Sequence, residues 1–434
     1  MTKKLGPAMV TALVVGNMIG SGIFLLPASL GPFGGISIVG WVVSATGACL
    51  LALVFARLAR IVRRSGGPYT YTREGFGEFP GFLVAWGYWI SIWTTNAAIA
   101  VAFVSYLTVF WGALGSSPLL AAGVGLATLW VLTWVNFVGV HPAGLVQLVT
   151  TILKLIPLIV IGTVGLVFVD PSNFVPFNAT EQSPFSAVTA TVALTLWAFL
   201  GLESGTTPSE HVIDPERTIP RATIVGTLLT AAVYVLGTVA VMGTIPPSEL
   251  ATSNAPFAEA ANVMWGDWAR YAVGAGAVVS CFGALNGWLL LQGQIPFAAA
   301  RDGLFPQVFG RLSVRGTPAY GLVLSSVLAS VLLAMNYTRS LVEQFTFIIL
   351  LATLNTLVPY AFCSLAEVMI AVRRGPVDGR RLAAASVLGA PAFVYSLWAI
   401  AGAGAEIVYW GFLLLVSGIP VYVLVQSRRG GSRS

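Results

Sequence analysis

Charge is what this 434-residue chain has least of: 9% of its residues are charged, where a soluble domain carries roughly 25%. Water cannot be its main solvent. Cysteine is almost as scarce. Cys49, Cys281 and Cys363 each sit inside an apolar stretch without CxxC spacing, so neither a disulfide framework nor a thiolate metal cage can be built from them. They read as small buried hydrophobes. His141 and His211 are the only histidines and fall in loops or at helix ends, which excludes a histidine metal site, and the expectation is no cofactor and no metal. No HExxH, GxSxG or CxxC pattern occurs, and an integral-membrane enzyme would need such a nucleophile–base pair or metal cluster. The chain reads as not an enzyme.

What the chain has in abundance is apolar length, with hydrophobic residues making up 57% of it. A spanning helix needs about 20 mostly apolar residues, and such stretches follow one another from Pro7 to Val425. They fall at roughly 8–34, 36–61, 80–110, 119–138, 143–168, 186–211, 220–245, 268–299, 319–336, 342–371, 384–402 and 405–426. No room is left for a sizeable soluble domain. Lys3-Lys4 before an apolar run imitates a signal peptide, but the run outlasts a usual h-region and no convincing small-residue cleavage site follows. It reads as the first of twelve helices.

With twelve spans, nineteen basic residues fall on the side of the two ends, Arg270 and Arg339 fall on the other, and Lys154 lies within a span. The positive-inside bias then puts both termini in the cytoplasm of an inner (plasma) membrane protein. An odd helix count would scramble this sorting. The same bias explains the formal charge of +6, so no nucleic-acid partner is inferred from it.

Two spans are interrupted in matching places. The first reads Gly16-Asn17-Met18-Ile19-Gly20-Ser21-Gly22-Ile23-Phe24, and the sixth reads Trp197-Ala198-Phe199-Leu200-Gly201-Leu202-Glu203-Ser204-Gly205. An offset of five spans, being odd, makes a second five-helix unit run through the membrane opposite to the first. The chain is therefore read as all-α, one transmembrane domain with a five-plus-five inverted repeat. Repeat one covers about 8–168 and repeat two about 186–371, with extra helices at about 384–426.

Unwound backbone survives in a membrane only where it lines a cavity or is buried in protein. A half-helix starting near Ile23 would aim free N–H groups and its positive dipole end at that cavity, which suits a carboxylate. Ser21 adds a hydroxyl. The competing reading is that Gly16 and Gly20, spaced GxxxG, only let another helix approach.

Glu203 and Lys154 lie too deep in their spans to reach water. Intramembrane ionisable residues usually mark an ion, proton or substrate path; the alternatives are a carboxylate hydrogen-bonded between helices and a purely structural ammonium. Trp197 flanks the second break and Trp288 follows Asn286-Gly287, so either could cap a site, an indole face attracting a cation by about 0.5–2 kcal/mol, or else simply pack. Asn96, in the cluster Trp93-Thr94-Thr95-Asn96, could hydrogen-bond a substrate or a neighbouring helix.

Together these residues resemble the amino acid/polyamine/organocation (APC) family of transporters, and within it the arginine/agmatine and putrescine/ornithine antiporters. The resemblance covers nearly the whole chain. It rests on Gly20-Ser21-Gly22-Ile23-Phe24-Leu25-Leu26-Pro27, Ser65-Gly66-Gly67-Pro68-Tyr69, Thr195 to Ser204, and Asp302-Gly303-Leu304-Phe305-Pro306. It implies alternating access about a central site. There Ser21, Gly22 and Ile23 would hold the substrate carboxylate, Trp197 and Trp288 would enclose the substrate, and Asn96 would match a third-helix asparagine. Glu203 stands where these antiporters keep a glutamate tied to proton or amine recognition, and Tyr88 and Tyr360 stand where relatives have gating tyrosines. The family's guanidinium-contacting serine aligns with Ala352, which argues against strict arginine selectivity. Lys154 resembles the fifth-helix lysine that replaces a sodium ion in some relatives, which argues for sodium independence.

The expected function is secondary amino-acid transport, by exchange of amino acids or their amine derivatives. A proton-coupled symporter using Lys154 and Glu203 is the runner-up, and a channel would show a polar ring in place of paired breaks. The expected partners are a small amino acid or amine and membrane lipid, and the resemblance allows a homodimer.

Overall fold

The computed structural model describes residues 6–62, 66–139, 154–206, 212–373 and 379–430. His141, His211, Ser65 and the first part of the expected fifth span lie outside them. Among the described residues eleven helical segments are long and apolar enough to cross a membrane, and a shorter apolar helix, Lys154–Phe168, stands where the fifth span was expected. The chain is an all-α, multi-pass membrane protein of about twelve spans.

Span one is split into α1 (Pro7–Met18) and α2 (Gly22–Leu30), and span two is α3 (Ile36–Ile61). After the short α4 (Pro68–Phe76) come α5 (Glu78–Leu107), α6 (Pro118–Val138) and α7 (Lys154–Phe168). Span six begins as α8 (Pro184–Leu196) and then tightens into 3-10 turns at Trp197–Phe199 and Leu202–Thr206. Next are α9 (Pro215–Thr244), the short α10 (Pro256–Trp265), α11 (Asp267–Arg301), α12 (Ala319–Asn336), α13 (Leu341–Arg373) and α14 (Gly379–Ala401). The last span, expected to be continuous, is two helices, α15 (Ala405–Val416) and α16 (Gly418–Gly430). A Cβ on Gly418 would lie 2.7 Å from the Trp86 ring, so this join presses directly on α5.

Burial ranks the helices. In α5, 94% of the apolar window is buried, against 28% in α6 and 17% in the last span, so α5 is a central post and the others face lipid.

Two stretches of the chain, one within each of the expected repeats, share a local device. Both α4 and α10 begin with proline, whose fixed φ suits a first helical position, and both stop at a glycine of positive φ, Gly77 (103°) and Gly266 (84°). Each glycine is followed at once by an acidic residue that opens a long helix, Glu78 of α5 and Asp267 of α11, where a carboxylate meets the positive end of the dipole. The second residue of each short helix then ties down the far end of the other half's long helix. Tyr69 of α4 donates to Asp302 Oδ2 at 3.1 Å, just beyond α11, and Phe257 N of α10 donates to the Tyr106 hydroxyl of α5 at 3.2 Å.

Each tie has reinforcement. Burial and the Asp302 carboxylate push the Tyr69 phenol well above its usual pKa, so it remains a donor, while Glu78 pairs with Arg73 (2.7 Å) and Arg429 (2.8 Å) beside it. On the opposite side Tyr106 donates to Phe24 O at 2.6 Å, and Phe24 meets the rings of Tyr106 and Phe257 edge-on at 5.6 Å. The two ties thus lie at opposite ends of α5.

Helix contacts rely on glycine where backbones approach. A Cβ on Gly389 of α14 would lie 2.4 Å from Ser364 O of α13, whereas one on Gly123 of α6 would meet nothing within 4 Å. Gly389→Ala is expected to cost about 1–3 kcal/mol through overpacking and to lower the melting temperature in detergent, and Gly123→Ala is expected to leave it unchanged; thermal unfolding of the two purified variants checks this.

Candidate functional site

The break in span one creates a backbone account that must be settled inside the protein. Helix α1 ends at Met18 because Ile19 turns away (φ −77°, ψ 83°), which strips the last carbonyls of helical partners. Ile19 N returns to Val15 O at 2.8 Å. Gly16 O receives the Lys154 ammonium at 2.6 Å, and Met18 O receives both the Tyr234 hydroxyl at 2.6 Å and Gly20 N at 2.9 Å. Gly20 O accepts from the Ser280 hydroxyl at 3.4 Å. Three helices, α7, α9 and α11, thus each send one side chain to the end of α1 and the three-residue interruption that follows it.

On the other side of the break, α2 begins at Gly22, one residue before the expected Ile23, with Ser21 at the cap position and no side-chain cap. Phe24 N bonds Ser21 O at 3.2 Å, and the first N–H groups of a helix have no intrahelical acceptor. The Ser21 hydroxyl is buried and has no partner among the described residues. Span six breaks against the same place: Gly201 takes φ +100°, and a Cβ there would lie 3.3 Å from Asn17.

Between the two breaks is a small cavity walled by Asn17, Ser21, Gly22, Thr95, Trp197 and Trp288, among others. Trp197 closes down on the break, since a Cβ on Gly22 would lie 2.8 Å from its Nε1. That N–H also lacks a partner among the described residues, while the ring meets Phe345 edge-on at 6.4 Å. Five of the six residues expected to bind substrate, Ser21, Gly22, Ile23, Trp197 and Trp288, are at or beside this cavity.

Asn96 is placed differently. It is fully buried and donates to Gln292 Oε1 at 2.7 Å, and Gln292 in turn donates to Leu322 O (3.0 Å) and Ser326 Oγ (2.8 Å). Asn96 therefore ties α5 to α11 and α12, the neighbouring-helix alternative, and does not line the cavity. Its neighbour Thr95 does. Residues 88, 92, 95 and 99 share one helical face, so taking Tyr88 as inward-facing would have pointed to Thr95 and Ile99 in place of Asn96.

Glu203, Tyr88 and Tyr360, far apart in sequence, converge. Tyr88 donates to one carboxylate oxygen and Tyr360 to the other, each at 2.5 Å, and all three groups are buried. The two bonds join α5, span six and α13 in one clasp. Glu203 does not line the cavity. No group of three or more His, Cys, Asp or Glu side chains that could hold a metal occurs among the described residues.

Against known proteins, residues 5–403 match the amino acid permease family. The chain is 34% identical over 431 residues to the putrescine transporter PotE of Escherichia coli (strain K12), covering 98% of this chain and 97% of that one. PotE of Haemophilus influenzae is 32% identical over 428 residues, with 98% of each chain covered. The cadaverine/lysine antiporter of Escherichia coli (strain K12) is 38% identical over 334 residues, covering 77% of this chain and 75% of that one. With its paired helix breaks and near-complete match, the chain belongs to the amino acid permease family, a family of membrane transporters and not of enzymes.

Proposed function

We propose that this chain exchanges an amino acid for an amine derivative across the inner membrane by alternating access around the cavity between the two breaks. One observation carries the reading: a half-helix start aimed into a cavity where Ser21 Oγ and Trp197 Nε1 are buried without partners, donors that a substrate carboxylate would satisfy. In this reading Ser21, Gly22 and Ile23 hold the carboxylate, Trp197 and Trp288 enclose the rest, and Asn96 holds the wall through Gln292. The names of the relatives, a putrescine transporter and a cadaverine/lysine antiporter, favour linear amines and their parent amino acids as the substrate class.

Lys154 takes the part of a coupling cation. A sodium ion would be held by carbonyl and hydroxyl oxygens, and here the ammonium occupies the Gly16 carbonyl of the broken helix, so transport needs no sodium. The Glu203 clasp with Tyr88 and Tyr360 acts as the gate, since it must open for α5, span six and α13 to separate. The moving units are the repeats at about 8–168 and 186–371, with 384–426 as support, in a chain that works alone or as a homodimer in lipid. The nineteen-to-two sorting of basic residues supports a cytoplasmic position for both termini.

Liposomes loaded with unlabelled amino acids and amines, then given labelled lysine or cadaverine, are expected to take up label only when an exchangeable partner is inside. Uptake into empty liposomes driven by a proton gradient would establish the symporter instead.

Gly22→Leu is expected to remove binding, because the first added carbon already meets Trp197 Nε1 at 2.8 Å. Calorimetric titration of purified protein with an undiminished affinity would take the carboxylate away from this break.

Lys154→Ala is expected to slow turnover at least tenfold, about 1.4 kcal/mol in the barrier, with a smaller change in affinity and with wild-type transport equal in sodium and choline. Uptake and binding on one preparation test both points, and a sodium-stimulated wild type would refute the substitution.

A further inference from the structure

Thr95 is a hydroxyl with no structural employment. A threonine inside a helix ordinarily gives its proton to a carbonyl three or four residues back, and its neighbours do so: Thr94 donates to Ile90 O and Ser91 O, and Ser91 to Tyr88 O. Thr133, Thr353 and Thr356 follow the same habit. Thr95 is only 2% exposed, makes no hydrogen bond among the described residues, and lines the cavity with Trp197 and Trp288. Thr223, Thr227, Thr230 and Thr238 also lack partners among the described residues but are sealed away from the cavity, whereas Thr95 lies on the cavity wall, where its hydroxyl can meet a guest.

We infer that Thr95 is a specificity-determining contact, accepting a hydrogen bond from the ammonium at the far end of the substrate. This rests on the exchange reading above. The argument runs through what two exchanged molecules have in common. An amino acid and its decarboxylated amine share the distal ammonium and differ at the carboxylate, so the site needs an acceptor that does not depend on the helix break. Among the side chains that wall the cavity none is a carboxylate, and both Glu203 oxygens are taken by Tyr88 and Tyr360. Thr95 comes from the unbroken α5 and Trp288 from the unbroken α11, so together they offer an oxygen and an indole face to a cation while the break holds the other end.

The test uses the full chain in liposomes with lysine, cadaverine and norleucine, the last being lysine's apolar counterpart. Thr95→Val keeps the shape and removes the hydroxyl. It is expected to raise the half-saturating concentration of lysine and cadaverine by about tenfold or more, the size of a lost hydrogen bond to a charged group, and to leave inhibition by norleucine unchanged. Thr95→Ser is expected to restore lysine and cadaverine to within about threefold of wild type, since the hydroxyl returns. Equal weakening of lysine and norleucine, no change for lysine, or a serine variant as poor as the valine one would each overturn the assignment. A wild type that carries neutral amino acids and neither lysine nor cadaverine would overturn the amine-exchange reading itself, and with it the role of Thr95.

Discussion

A helix cannot be cut inside a membrane without finding new partners for the groups the cut sets free, because hydrocarbon offers none. That requirement organises this molecule. The interruption at Ile19–Ser21 draws the Lys154 ammonium from α7, the Tyr234 hydroxyl from α9 and the Ser280 hydroxyl from α11 onto the carbonyls of Gly16, Met18 and Gly20. The cut leaves the N–H groups at the start of α2 facing the cavity instead. With carbonyls satisfied by protein and N–H groups left over, the break has the polarity that the proposed carboxylate site requires.

The same cut joins the site to the machinery around it. α7, α9 and α11 are fixed to the break through single hydrogen bonds, and single bonds can be exchanged at modest net cost, since each is worth about 0.5–1.5 kcal/mol, or about 1.5–3 when one partner is charged. The bulkier restraints sit elsewhere. The Glu203 clasp fastens α5, span six and α13, and the ties at Tyr69–Asp302 and Tyr106–Phe257 lie at opposite ends of α5. Those two ties are counterparts, each linking a short helix of one half to the end of a long helix of the other. An arrangement in which one could loosen while the other holds is what alternating access requires.

Much of this was legible in the chain. Twelve apolar stretches, the two Gly-rich interruptions and the depth of Lys154 and Glu203 follow from length, hydropathy and the cost of burying charge, and these large terms survive any detail of packing. The phase of a buried helix does not. Since α5 is apolar almost all round, hydropathy could not say which of Thr95 and Asn96 faces the cavity, and only a second inward residue such as Tyr88 would have set the rotation. The partners of Lys154 and Glu203 were hidden for another reason: Gly16, Tyr88 and Tyr360 are brought to them by tertiary packing across 138, 115 and 157 residues of chain. The division of the last span at Ser417 was also missed, although Gly418 and Pro420 mark it, because the apolar length of the whole stretch outweighed that local signal.

Glycine at position 22 shows how tightly recognition and closure are joined. It is ordinary in conformation, so its value is not backbone freedom but absent volume: the space a Cβ would fill is where Trp197 brings its indole nitrogen. Trp197 belongs to the tightened part of span six, and it can approach the start of α2 only because nothing projects from that turn. A carboxylate arriving there would meet the N–H groups of α2, the Ser21 hydroxyl and the Trp197 N–H together, donors contributed by both breaks. Binding would therefore draw spans one and six onto one ligand, and an occupied site would resist their separation more than an empty one. Such a difference, acting between the two interrupted helices, is the physical means by which the presence of substrate can bias which end of the passage opens.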